Sequence, residues 1–533
     1  MFSVQTIEEW ADSRVQTFPL QHLAGAVIGV DASYYLDLRL NKALKASTDS
    51  KKASPASNKD PSLQDAARKG REPLFNALGG VPCSLQDAIE KDVQTLKKHD
   101  ISLTFIFNGL DYATKELSGA RSAANLRAHE EGWLAYKNDD EDATVKAFGK
   151  AGKRFGSLVL AHLLTFQAFA VETLYRWFQR LLKTLGVQFL VAPYGAAAQV
   201  HISTFNHFAL SDTAQLAYLE KQSEQFIDAV MSSTECFLFD VDKVILDVNL
   251  KSSTFTWLKK SECQNLLDKA PKDLFRDVQL ILGSSFLPMF PLLGRNTSGK
   301  VTVREALMML NTASRNVMQL CQQWQEDPQV KLLQYADRYK KAIMTIRHHV
   351  VLEKDGKIAP MDYVHAPGDV HEFIGQRLPE ELFFYISKGM LGSQIPNWLA
   401  TSEVTLSLPA GAQDSESYRR LVVDQLNPIR ATTLKLITES MHRYYQSRTI
   451  KLSPWFEKDT SSLTITIKEL PAVGSQLDGW MIKSSDLPPS KDGPSVSGEN
   501  SDTLKSLTIA GQIIIPIRSA PAQECSFCIP ACP

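Results

Sequence analysis

The sequence predicts an α/β fold built on a mainly parallel sheet, with a largely helical region after it. Short β-branched or aromatic runs predict the strands: Val27–Val30, Ile101–Phe107, Val187–Val191 and Cys236–Phe239. Each run stops at a polar or turn-forming residue, respectively Asp31, Asn108, Ala192-Pro193 and Asp240. Helical periodicity separates these runs and dominates from about residue 270 to 400. Ligands of such sheets lie beyond the carboxyl ends of the strands, which singles out Asp31, Asn108, Asp240 and Asp242.

Taken in order, the first strand gives way at Asp31-Ala32-Ser33 to a helix from Tyr34 onward. Lys45 to Lys69 is rich in lysine and serine and reads as a loop, with helices flanking Gly79-Gly80-Val81-Pro82. Residues 121–150 alternate charges as a solvated helix or helical arch does. Between Phe155 and Leu182, His162, Gln167 and Glu172 interrupt the apolar run before the ~20 residues that cross a bilayer. That stretch therefore predicts a buried or amphipathic helix and no membrane association. Further helices are expected in VREALMMLNTASRNVMQLCQQW, in YADRYKKAIMTIRHHVV and after Pro379. NPIRATTLKLITESMHRYYQSR predicts a late helix, with strand-like pieces at Leu463–Ile467 and Ile513–Ile517.

At 533 residues the chain is long enough for two or three domains. With 58 basic and 59 acidic residues it is no general nucleic-acid coat, although a local basic patch is compatible with that balance. Cys83, Cys236, Cys263 and Cys321 are widely spaced among apolar residues, as reduced core cysteines are, so a reducing compartment is expected. The N-terminal MFSVQTIEEWADSR has early acids and no long apolar run, which argues against a secretory signal. Two segments, 157–170 and 200–215, interrupt helical patterns and read as surface insertions or translated intervening sequence.

Two-metal phosphodiester hydrolysis needs carboxylates converging on ions ~3.5–4 Å apart. Asp31, Asp240 and Asp242 could supply three of them and hold magnesium. Equally, Asp31 could cap its helix while Asp240 and Asp242 shape a turn. The blocks GVDAS (29–33), Phe107-Asn108-Gly109, VAPYGAAAQ (191–199), FDVDKV (239–244) and ILGSSF (281–286) then add a resemblance. In this order they resemble the flap-endonuclease/XPG superfamily, which carries catalytic acids in all five. The resemblance implies an XPG/PIN-like α/β domain whose site keeps acids only at Asp31, Asp240 and Asp242. Asn108, Gly195, Ala197 and Ser285 occupy the other acidic positions, which makes the site vestigial: no catalytic residue, no required cofactor and at most weak Mg binding.

Longer strings narrow this further. LAYLEKQ, LGSSFLPMFPLL, IRHHVVLEKDGKIAPMD and DVHEFIGQRLPEELFFYISKG resemble the Mkt-type post-transcriptional regulator family of fungi over roughly residues 20–455. The resemblance implies an XPG/PIN-like domain at 1–290, a helical middle domain at 291–400 and a partial α+β C-terminal region at 415–533. It implies cytoplasmic control of mRNA in mRNA-protein granules or polysomes, contact with mRNA directly or indirectly, and a poly(A)-binding-protein-associated regulatory protein as partner. A residual structure-specific nuclease and a purely structural interaction module are the alternatives.

Basic clusters at Lys146, Lys150, Lys153 and Arg154, and at Arg338, Lys340, Lys341 and Arg347, are candidate RNA contacts, with Tyr335 and Tyr339 placed to stack on bases. His371, Arg377, Tyr444 and Tyr445 are candidate partner-facing residues. His348-His349 reads as structural, because adjacent side chains point apart. His371-Glu372 lacks the second histidine of a zincin motif, and Cys525, Cys528 and Cys532 lack a fourth zinc ligand.

Overall fold

A computed structural model describes residues 3–40, 42, 81, 83–111, 122–151, 171–195, 227–239, 241–295, 300–353, 356–362, 364–368, 374–375, 378–406, 408, 412–456, 463–469, 507–509 and 512–514. The chain divides into two compact units, one of residues 1–401 with 407–414 and one of 402–406 with 415–533.

The first unit is built on a seven-stranded sheet. Its strands are β1 (Gln16–Pro19), β2 (Val27–Asp31), β3 (Ser102–Phe107), β4 (Gln188–Val191), β5 (Ala229–Met231), β6 (Lys243–Asn249) and β7 (Thr254–Lys259). They lie in the order β1-β7-β6-β5-β2-β3-β4. The inner pairs β6-β5, β5-β2, β2-β3 and β3-β4 are parallel, and the edge hairpin β6-β7-β1 is antiparallel. The α/β class read from the sequence is therefore the architecture of this unit.

Alternation along β3 shows how the sheet acquires two covered faces. Phe105 and Phe107 point to one side, where Phe178 of α5 (Val171–Thr184) and Tyr35 of α1 (residues 32–40) meet Phe105 edge to face and Phe178 packs on Phe107 at a tilt. Ile106 points to the other side, into a core shared with α6 (Lys272–Leu282), α7 (Val303–Thr312), α8 (Val317–Gln323) and α9 (Tyr335–Arg347). Each buried Phe contributes about 1.5–3 kcal/mol relative to exposure. One buried core runs from the sheet through α9.

Between these layers, α2 (Cys83–Lys98) precedes β3, and α3 (Ser122–Lys137) packs on α4 (Glu141–Ala151). α5 is amphipathic, burying Leu174, Tyr175, Phe178, Leu181 and Leu182 while Arg180 and Lys183 face out. Among the described residues no helix is long and apolar enough to cross a membrane. VREALMMLNTASRNVMQLCQQW forms two helices, because Ser314 and Arg315 take left-handed backbone and Asn316 caps α8. Cys236, Cys263 and Cys321 are buried free thiols, and burial pushes Cys321 up to about 11.

One strand assignment fails. Residues 234–238 form a 3₁₀ turn, and the strands on either side of it are β5 and β6. An apolar run of four residues has no periodicity with which to tell a buried turn from a buried strand.

The N-terminus is fastened across the unit. Ser3–Val4 pairs in parallel with Lys300–Val301, and a capping box at Thr6 opens the one-turn helix Ile7–Trp10. In the second unit, strands Glu403–Leu406, Thr449–Pro454 and Thr464–Thr466 form a sheet, with helix Asn427–Thr438 nearby in sequence. The late helix predicted across NPIRATTLKLITESMHRYYQSR stops at Thr438 and resumes as the short Arg443–Gln446.

Candidate functional site

The carboxyl ends of β5, β2 and β3 lie side by side, since Val30 is in register with Met231 and Asp31 with Ile106. Ser232, Asp31 and Asn108 are therefore brought together, all buried. Asp31 is fully engaged by the protein: Oδ1 accepts from Tyr34 N at 3.0 Å and Oδ2 accepts from Ser232 Oγ at 2.8 Å. It caps α1. The Asn108 amide donates to Ser33 Oγ at 3.0 Å and to Tyr175 Oη at 3.2 Å, and those hydroxyls lie 2.5 Å apart. Asn108 Oδ1 is buried without a hydrogen-bond partner.

Ser285 belongs to a second network centred on Glu235, which the sequence reading did not select. Glu235 accepts from Ser285 N at 2.6 Å and from Ser285 Oγ at 2.5 Å, so both carboxyl oxygens are occupied. Burial, with Asp31 and Glu8 adding like charge, pushes its carboxyl up from 4.5 to about 7, although the Ser285 hydrogen bonds oppose that rise. Glu8 in turn accepts from Thr234 N and Oγ1, both at 2.8 Å, and Gln279 Nε2 donates to Thr234 O at 3.2 Å. The turn that carries Glu235 is thus held from the N-terminal helix and from α6. The one legible signal was an ionisable residue set in the run TECFLF, whose neighbours all become buried.

The other selected positions do not join these networks. Asp242 is exposed, and its main-chain carbonyl accepts from Lys260 N at 2.9 Å. It enters β6 rather than ending a strand, because the expected 236–239 strand is a turn. Gly195 ends the short strand Tyr194–Gly195, which pairs with Leu110–Asp111. Ala197 and Asp240 lie outside the described residues, as do both candidate insertions. Asp228 accepts from Val27 N at 2.7 Å, at the opposite end of β2 from Asp31.

Among the described residues this donor set does not fit a two-magnesium centre. Such a centre needs ionised carboxylates with open oxygens converging on each metal. Asp31 and Glu235 have each carboxyl oxygen in a protein hydrogen bond, and Glu235 titrates near neutrality. Asn108 and Ser285 bring neutral oxygens.

The basic and aromatic candidates separate by burial. Lys340, Lys341 and Arg347 are exposed and Arg338 is half-buried, with Lys340 3.6 Å from Asp337. The proposed stacking partners are in the core. Tyr335 donates to Pro288 O and Tyr339 to Asp277 Oδ1, so neither offers a face to a base. They sit on the side of α9 that packs on α6 and the segment after it, where aromatic spacing marks core. Lys146 is exposed, Lys150 lies in α4, and Lys153 and Arg154 are outside the described residues. His371 and Arg377 are also outside them. Tyr444 is exposed beneath the Arg448 guanidinium at 5.0 Å, and Tyr445 is buried. His348 and His349 are both buried, and burial drives His349 down to about 3.

A family model described as "Temperature dependent protein affecting M2 dsRNA replication" matches residues 367–456. The chain is 26% identical over 461 residues to the post-transcriptional regulator MKT1 of Cryptococcus neoformans, covering 83% of this chain and 52% of that protein. It is 25% identical to the Schizosaccharomyces pombe protein of that name, covering 77% and 56%. For the Saccharomyces cerevisiae protein the values are 23% identity, 78% and 57%. The chain thus spans about half the length of the curated relatives it matches. Among solved structures, the catalytic core of Rad2 with DNA aligns at 12% identity and TM-score 0.34, over 71% of this chain and 88% of that one. Human GEN1 with Holliday junction DNA aligns at 14% and 0.34, over 74% and 76%. Likeness at that level carries no argument about chemistry. The resemblance read from the sequence strings holds: the curated relatives of this chain are the Mkt-type post-transcriptional regulators.

Proposed function

We propose that this chain is a non-enzymatic regulator that acts after transcription, in cytoplasmic mRNA-protein complexes. It works through protein contacts, with a poly(A)-binding-protein-associated regulatory protein as partner, and through contact with mRNA. The observation that carries this reading is the occupation of the buried acids Asp31 and Glu235 by hydrogen bonds from the protein. Asp31 caps a helix and holds Ser232, and Glu235 clasps Ser285, so the carboxylates serve the fold. The name shared by the curated relatives supports the regulatory half.

Two measurements on the full chain test it. A labelled flap or single-stranded substrate incubated with Mg²⁺ or Mn²⁺ is expected to stay intact. Product that disappears in Asp31→Asn would overturn the non-enzymatic reading in favour of a residual structure-specific nuclease. Tethered to a reporter 3′-untranslated region, the chain is expected to change protein yield, and Glu235→Gln is expected to behave like the parent. An unchanged reporter would overturn the regulatory reading.

A further inference from the structure

The described residues hold an aromatic-basic surface on the antiparallel edge of the sheet, away from the residues that sequence reasoning chose. Trp257 of β7 is half-exposed, with Lys243 Nζ 5.3 Å and Lys259 Nζ 5.5 Å from its ring centroid. The two lysines are direct cross-strand partners in the β6-β7 register. Like charges placed opposite each other repel, and among the described residues neither lysine makes an ion pair. Other charges near this hairpin are paired: Asp247 of β6 with Lys42 at 2.9 Å, and Glu262, just after β7, with Arg14 at 3.7 Å. The lysine pair sets two positive charges side by side against the single exposed carboxylate of Asp242 that precedes Lys243, on a chain of formal net charge −1.

The indole between them is fixed in place. Its Nε1 donates to Gln16 Oε1 at 3.1 Å, and Phe18 and Phe255 meet it edge-on at 5.2 and 6.0 Å. A flat π surface held rigidly, with ammonium groups over it, is the combination that single-stranded nucleic acid uses. A base stacks on the ring as each ammonium moves aside to a flanking phosphate. An acidic peptide would use the lysines and leave the indole idle, so the ring favours a nucleobase-bearing ligand.

We propose that Lys243, Trp257 and Lys259 form a contact site for single-stranded RNA. This rests on the reading that the chain touches mRNA, and it places that contact on the β6-β7 hairpin instead of α9.

The test is fluorescence anisotropy of the full chain with a labelled single-stranded oligonucleotide RNA, over a range of salt. Circular dichroism of each variant serves as the fold control. Lys243→Gln with Lys259→Gln is expected to weaken binding at least tenfold and to flatten the log-log salt slope by about 1.4, at ~0.7 for each single-strand phosphate no longer neutralised. Trp257→Leu is expected to weaken binding several-fold with the salt slope unchanged, and Trp257→Phe to restore most of it. Binding by the parent that none of these variants alters overturns the site and leaves RNA contact standing. A loss of binding in the lysine variant alone marks a general anion patch and also overturns it. Absence of RNA binding by the parent overturns both the site and direct RNA contact, while a reporter that still responds to tethering would keep the regulatory reading.

Discussion

Glu235 shows how a single buried acid can leave a signature in stability. Its carboxyl titrates at about 7 in the folded chain, against an ordinary 4.5. The folded state therefore holds a proton that the unfolded state has released across that window, and stability falls as pH rises from about 5 to about 7. The size is on the order of 3 kcal/mol for a shift of this extent. His349 acts with the opposite sign: burial holds it neutral to about 3, so its contribution is present above its ordinary 6.5 and is lost on acidification. The total profile mixes the two, and a difference profile isolates Glu235. Urea unfolding of the parent and of Glu235→Gln, followed from pH 5 to 7.5, should show the variant gaining relative stability as pH rises. Equal pH dependence in both would refute the assignment. Asp31 and Asn108 were legible because each follows an apolar run that became a strand. Glu235 was harder to read, because its one local signal, an acid set in the run TECFLF, does not say whether the run forms a buried turn or a strand.

At the scale of elements, legibility followed length and environment. Val27–Asp31, Ser102–Phe107 and Gln188–Val191 are inner parallel strands whose β-branched and aromatic residues announce them. Ala229–Met231 has three residues, too few to show alternation. The seam between the loops after β3 and β4 was equally invisible, because it depends on a missing side chain. A Cβ on Gly109 would run into the Ala192 carbonyl, where Leu110–Asp111 pairs with Tyr194–Gly195. Gly109→Ala is therefore expected to cost about 3 kcal/mol or more by forcing the two backbones apart. Gly186 makes the control: its φ is +62°, nothing lies within 4 Å of a new Cβ, and Gly186→Ala should cost about 1 kcal/mol. Chemical denaturation midpoints measure both, and similar losses at the two positions would argue against the close-approach explanation.

At the scale of the molecule, each of the two compact units has buried apolar residues of its own. Phe105 is fully buried in the first and Ile450 in the second. Calorimetry of the full chain should show Phe105→Ala lowering one transition by about 3–5 kcal/mol and Ile450→Ala lowering a different one by about 2–5 kcal/mol. A single transition displaced by both substitutions would contradict independent cores. The two-unit division was only partly legible: helical periodicity dominates from about residue 270 to 400, and the separate middle domain at 291–400 came from the family resemblance. Periodicity reports which face of a helix is buried and is silent about what buries it.

The clasp of Ser3–Val4 on Lys300–Val301 ties the beginning of the described chain to a segment made some 300 residues later. At ~5–20 residues per second, a ribosome takes tens of seconds to supply that partner. The same wait applies to the grip of Glu8 on Thr234, since Thr234 must also be synthesised first. During translation, then, β2 and β3 can pair long before the leading segment has anywhere to dock. Ser3–Val4 is made before β2 and β3 yet docks after them, and the turn bearing Glu235 joins its brace at Glu8 across more than 200 residues of chain.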